Sequence, residues 1–171
     1  FIIAQLETTR RFVVGQPGTY RVYWWRNGRA TDFYDVDERH SGWGISADQR
    51  VADDITLFTR FGAEISGRVR FDRAFTIGGE IVGDYWGRGA DSVGLAAGFL
   101  RTSGAYRDAT ANGTLAGYAA SGTERIVELY YRFRINDHFD VTPDLQWIQR
   151  AGGDGSAPGV FVGGVRARVG F

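Results

Sequence analysis

The chain has no cysteine, no methionine and no lysine, and 3 prolines among its 171 residues. Without cysteine there are no disulfide staples and no thiolate metal centres. No stretch of about 18 consecutive apolar residues occurs, which excludes a membrane-spanning helix. Charge of one sign is also lacking, since 20 arginines face 20 Asp plus Glu. No basic field points to nucleic acid, and no acidic tail points to disorder. None of these absences excludes a membrane-spanning barrel, whose strands need only about 9 to 11 residues of alternating polarity. Arginine as the only long cation offers a permanently charged planar fork, although GC-rich coding produces the same bias.

What is present is glycine, 25 residues of it, and 15% aromatics. The stretch from Glu124 to Phe171 alternates apolar and polar residues at period two, which is the pattern of strands and not of helices. Val127, Leu129, Tyr131, Phe133 and Ile135 share one face, while Glu128, Tyr130, Arg132 and Arg134 share the other. The same pattern predicts strands at roughly 2–14, 19–27, 41–50, 55–65, 74–86, 91–101, 124–135, 138–149 and 160–171. The links between them alternate short and long: Gly15 to Gly18, 28–40, Val51 to Asp54, 66–73, Gly87 to Ala90, 102–123, Asn136-Asp137 and 150–159. Short turns on one rim and long loops on the other mark an outer-membrane barrel.

The expected fold is therefore all-β, a transmembrane antiparallel up-and-down barrel, with residues 1–171 in one barrel domain. Two aromatic belts are expected where such a wall meets the membrane interfaces. Phe12, Tyr20, Tyr85, Phe133, Phe139 and Phe171 fall near the short-turn rim, and Trp43, Phe75, Phe99, Trp147 and Phe161 near the long-loop rim. Bacterial barrels have even strand numbers and begin in the periplasm. Nine strands, with Phe1 opening the sequence inside an apolar run, thus predict that the domain is incomplete at its N-terminal side.

Several pieces together resemble the carbohydrate-selective porins of the OprB type. They are Gly44-Ile45-Ser46-Ala47-Asp48-Gln49, Leu57-Phe58-Thr59-Arg60-Phe61-Gly62, Ser92 through Phe99, Glu128-Leu129-Tyr130-Tyr131-Arg132-Phe133 and Thr142-Pro143-Asp144-Leu145-Gln146-Trp147. Their order agrees along most of 41–171, and 1–40 matches less clearly. The resemblance implies the C-terminal half of a barrel of about sixteen strands, in the outer membrane of a bacterial cell, that passes sugars by diffusion. Two departures stand out. Trp147 replaces what is more often another aromatic, and the family's constriction loop belongs to an N-terminal half that this chain does not contain.

On this reading the polar faces line a lumen. Arg60, Glu64, Glu128, Arg132, Arg134, Asp144, Arg166 and Arg168 are the candidate solute-contacting residues, with Glu7, Arg21, Asp48, Glu80, Asp84 and Gln146 on the same wall. Mixed charge of near-zero sum suits neutral polar solutes, and inward Tyr23, Trp25, Phe58, Trp86 and Tyr130 would give stacking surfaces for sugar rings. The same charges could instead pair across neighbouring strands and stiffen the wall. The loop from Asp32 to Glu38 offers carboxylates but no EF-hand spacing, so no metal or other cofactor is expected. Arg68, Arg70 and Arg73 would either touch lipopolysaccharide or pair with that acidic loop. Expected partners are outer-membrane lipid, lipopolysaccharide, a sugar in transit and further copies in a homotrimer. An enzyme is not expected, because His40 and His138 fall at opposite rims and Ser41 points away from His40. The alternatives are a closed or plugged barrel that anchors the envelope or scaffolds a complex, and a soluble sugar-binding β-protein.

Overall fold

The computed structural model describes residues 1–170. Nine antiparallel strands follow one another in chain order across one sheet: β1 (Ile2–Val13), β2 (Gln16–Thr31), β3 (Asp37–Ala52), β4 (Ile55–Ser66), β5 (Phe71–Gly83), β6 (Arg88–Thr102), β7 (Thr123–Asn136), β8 (Phe139–Gln149) and β9 (Val160–Val169). β1 and β9 do not pair, so the sheet is an open wall. All nine expected strands are present, and several ends move. Gln16, Pro17 and Gly18 join β2, because Gly15, at φ +76°, already closes the turn. The expected loop 28–40 shrinks to 32–36, which puts His40 inside β3. Link length does not alternate as strictly as the sequence suggests, since the outer link 67–70 and the opposite turn 84–87 are equally long. Phe171 and its expected place at the rim lie outside the described residues.

Register turns the period-two pattern into rows that run across the wall. One row is Leu6, Val22, Ile45, Phe61, Phe75 and Phe99, each the direct partner of the next. Another is Leu57, Gly79, Leu95, Leu129 and Leu145. The opposite face carries Glu7, Arg21, Ser46, Arg60 and Thr76, and lower down Thr56, Glu80, Gly94, Tyr130 and Asp144. No second layer covers the apolar face. Leu6 is 75% exposed and Leu95 55%, and the buried apolar residues among those described are Phe33, Tyr106 and Ala120, all outside the strands. A soluble protein hides such a face. This one presents it, which sets aside the soluble sugar-binding reading.

On the polar face large rings lie over cross-strand glycines. A Cβ at Gly42, Gly44, Gly78 or Gly94 would run into Trp25, Tyr23, Phe58 or Tyr130 respectively. The ring covers the bare backbone of its neighbour, and the missing side chain lets the ring lie down.

The outer loops hold the molecule's small core. Sequence periodicity gave no helix in 103–122, but α1 (Gly104–Thr110) forms there, capped by Ser103, whose Oγ accepts the Tyr106 N–H at 3.0 Å. Tyr106 and Thr110, four residues apart, share its buried face. Tyr106 packs edge-on against Phe33 at 5.2 Å, and the cluster adds Ala109, Leu115, Ala116, Tyr118 and Ala120.

Gly44→Ala should overpack the Tyr23 site and cost about 1–3 kcal/mol. Gly62→Ala, which meets nothing closer than the Trp43 carbonyl at 3.9 Å, should be neutral. Denaturant titration of the two purified variants, followed by the folded, heat-modifiable gel band, checks the contrast.

Candidate functional site

The polar wall divides into three groups of charged residues. The first lies on β1 to β4. Arg21 donates to Glu7 at 2.6 Å and to Asp48 at 2.5 Å, and Arg60 joins the same Asp48 at 3.0 Å. Arg60 also lies 4.7 Å over the Phe58 ring. This relay pairs charges between neighbouring strands, and its members are tied to one another.

The second group forms a groove of about 320 Å³ on β5 to β9, lined by Glu80, Glu128, Tyr130, Arg132, Asp140, Thr142, Asp144, Arg166 and Arg168. Strand pairing explains the convergence: Tyr130 faces Asp144, Thr142 faces Arg166 and Asp140 faces Arg168. Tyr130 Oη donates to Glu80 at 2.5 Å, while Arg132 approaches Glu80 only to 3.9 Å. Glu128, Arg166 and Arg168 have no ion-pair partner among the described residues. Their donors and acceptors are thus free of ion pairing within the groove.

The third group is at the short-turn rim. Arg134 is on the polar face by register, but its guanidinium turns to Asp137 at 3.1 Å, and its backbone N–H donates to Asp91 at 2.9 Å. Asp91 is fully buried and also accepts from Arg88 and from Tyr131 Oη at 2.6 Å. Trp86 Nε1 donates to that same Tyr131 at 2.9 Å. This changes two expectations. Trp86 is on the apolar side of the turn and is no stacking surface in the wall, and Asp84 starts the Asp84–Trp86 3-10 turn and does not line the wall. A short turn held by a buried carboxylate outcompetes strand alternation. The spacing Arg88-x-x-Asp91 was the one available signal for it.

Of the eight candidate wall residues, Glu128, Arg132, Asp144, Arg166 and Arg168 come together in the groove. Arg60 belongs to the relay, Arg134 to the rim, and Glu64 is opposite Gly42 near the outer loops. Sequence reasoning missed Asp140 and Thr142 as groove residues.

Among the described residues the candidate belt aromatics on the strands share the apolar face in two bands. Toward the loops, Trp43 and Phe61 pair at 5.5 Å, Phe75 stacks on Phe99 at 6.2 Å, and Trp147 on Phe161 at 6.4 Å. Toward the turns, Phe12 meets Tyr20 edge-on at 5.1 Å, Phe133 lies 4.3 Å under the Arg88 guanidinium, Phe139 is half-buried opposite Val169, and Tyr85 is exposed in its turn. Trp24 and Phe61 extend the upper band beyond what was expected.

At the outer rim Asp32 organises the loop 32–36. Its Oδ1 accepts the N–H groups of Tyr34 at 2.8 Å and Val36 at 3.0 Å, and its Oδ2 meets Arg68 at 2.7 Å. Arg68 therefore pairs with the acidic loop. Arg70 instead stacks over Tyr106 at 5.8 Å, and Arg73 is in β5. Burial alone would raise the Asp32 pKa, but the two backbone N–H donors and the Arg68 charge outweigh it and hold the carboxyl below its ordinary value. Burial, and then the Tyr106 hydroxyl, push the Tyr118 hydroxyl up to about 12. His40 is buried beside Glu38 at 3.5 Å, while Ser41 points away and pairs with Ser66 at 2.7 Å. His138, at the opposite rim, contacts the Gly170 carbonyl.

A family model described as carbohydrate-selective porin, OprB family, matches residues 9–171. The chain belongs to this porin family. Among solved structures, OprB of Pseudomonas putida, determined at high pH, superposes with a TM-score of 0.79 at 20% identity over 98% of this chain. The superposition covers 47% of the P. putida chain, so this chain spans about half the length of that porin. No curated protein sequence matches. Membership of the OprB family places the wall in the bacterial outer membrane.

Because its folded pKa is depressed, Asp32 stabilises its loop above the unfolded value of 3.8, and that support is lost as pH falls through the lower folded value. A spin label on Val36→Cys, in a chain with no native cysteine, should stay immobilised from pH 7 to about 4 and loosen only below. In an Asp32→Ala background it should be mobile already at pH 7.

Proposed function

We propose that this chain forms part of the wall of a passive outer-membrane channel for carbohydrates or other small neutral polar solutes. The observation that carries the reading is the groove on β5 to β9. Four carboxylates, Glu80, Glu128, Asp140 and Asp144, face three guanidiniums, Arg132, Arg166 and Arg168, with Tyr130 and Thr142 between them. A wall of mixed charge, with a single carboxylate in excess, exchanges hydrogen bonds with the hydroxyls of a neutral solute and exerts little net pull on ions. Tyr130, lying over Gly94, adds a flat apolar surface for a sugar ring. The relay of Glu7, Arg21, Asp48 and Arg60 is already paired and stiffens the wall.

On this proposal residues 1–171 are one unit of barrel wall, continued by strands pairing with the free edges of β1 and β9. The two aromatic bands mark its membrane interfaces. Lipid and lipopolysaccharide surround it, further copies in a trimer are consistent with it, and translocation involves no covalent step. His138 is at the opposite rim from His40, and Ser41, next to His40 in β3, turns away from it to pair with Ser66. A second reading, a closed barrel with a structural role, draws on the loop cap, where 32–36, 67–70, 103–122 and 150–159 are laced together. Ser103 Oγ donates to the Val69 carbonyl at 2.6 Å, and the Gly122 N–H to the Gly153 carbonyl at 2.8 Å.

Planar-bilayer recordings separate the readings. A channel gives discrete conductance steps that neutral sugars block, whereas a closed barrel gives no steps. Arg166→Gln with Arg168→Gln should shift the reversal potential toward cations and weaken sugar block by about fivefold, the equivalent of ~1 kcal/mol for a lost hydrogen bond. Unchanged selectivity and block would remove the groove from the solute path.

A further inference from the structure

The apolar face ends, on the loop side, in charge. Arg73 and Arg101 are direct partners across β5 and β6, one row beyond the stacked Phe75 and Phe99. Arg125 on the next strand is the direct partner of Phe99. All three side chains are exposed on the face that carries the aromatic band. Strand spacing and rise put their Cα atoms within about 12 Å of one another.

Like charges directly opposite in an antiparallel pair are unfavourable, and Asp72, the acid beside them, forms a direct ion pair with only one of these charges. It takes Arg101 through a two-point fork, at 2.8 Å from Nε and 2.5 Å from Nη2. Arg73 has no ion-pair partner among the described residues, and Arg125 contacts only the Gln149 amide oxygen, at 3.5 Å. A charge set immediately above an interfacial aromatic row is at the depth of lipid headgroups. Guanidinium forks match phosphate oxygens in pairs.

We propose that Arg73, Arg101 and Arg125 form a docking site on the lipid-facing surface for the phosphate groups of the phosphorylated glycolipid of the outer leaflet. The site rests on the outer-membrane placement of the wall and is separate from the groove on the opposite face. The bound phosphate relieves the Arg73–Arg101 repulsion, and the Phe75 and Phe99 rings lie beneath it against the first acyl carbons.

The test is native mass spectrometry of the protein purified from outer membranes in detergent, titrated with bisphosphorylated lipid A, its dephosphorylated form or phosphatidylglycerol. The expected result is retention of bisphosphorylated lipid A through the detergent-stripping step, with loss of at least about tenfold in Arg73→Gln/Arg101→Gln/Arg125→Gln. Arg125→Gln alone, which breaks no ion pair, should lose part of the binding. Arg10→Gln, an equal charge change on β1 at the opposite rim, should lose none. Equal retention by the triple variant overturns the site, as does equal retention of the dephosphorylated glycolipid. Equal binding of phosphatidylglycerol overturns the assignment to the outer-leaflet glycolipid. Conductance is recorded on the same preparations. If steps persist while lipid selectivity is absent, only the docking site fails; if no preparation conducts, the channel reading fails.

Discussion

The structure depends on one requirement: a backbone placed in hydrocarbon must satisfy its own hydrogen bonds. Each strand from β2 to β8 does so by pairing on both sides, in chain order, with no crossover. Pairing fixes register, and register with a period of two sorts every residue to one face or the other. The apolar rows and the polar groove are therefore two outcomes of the same ladder. A change in register that suited one would ruin the other.

Within the polar face, two ways of settling side chains divide the wall. Between β1 and β4 the charges satisfy one another, Arg21 and Arg60 sharing Asp48. Between β5 and β9 Glu80 is taken by Tyr130 and loosely by Arg132, and Glu128, Arg166 and Arg168 have no ion-pair partner among the described residues. Aromatic rings laid over Gly42, Gly44, Gly78 and Gly94 keep the surface low, so bulk that would otherwise stand up from the polar face lies along it. Outside, the order is reversed: apolar rows occupy the middle, rings the margins, and arginines the edge beyond the rings.

What sequence revealed and what it hid follow from the range of the interactions. The faces were legible because alternation is local, and Glu128, Tyr130, Arg132 and Asp144 fell where parity placed them. Shifts of register at Arg10/Val13, Asn27/Ala30 and Ser41/Gly42 were not legible, because a bulge is chosen jointly by two strands. The ends of β2 and β3 were hidden for a related reason. Asp32 closes their loop with help from Arg68, a residue two strands further on. Trp86 was misplaced because its partner, Tyr131, is 45 residues away. Helix α1 is too short for periodicity to show, and its Ser103 cap is a common dipeptide context.

The contact between Phe33 and Tyr106 spans β3, β4, β5 and β6. Rings that far apart along the wall meet only when every intervening pair is in step, because a slip of one residue displaces a strand by about 3.3 Å and turns its faces over. The loop cluster thus works as a checksum on the wall: it closes only over strands that have been counted correctly.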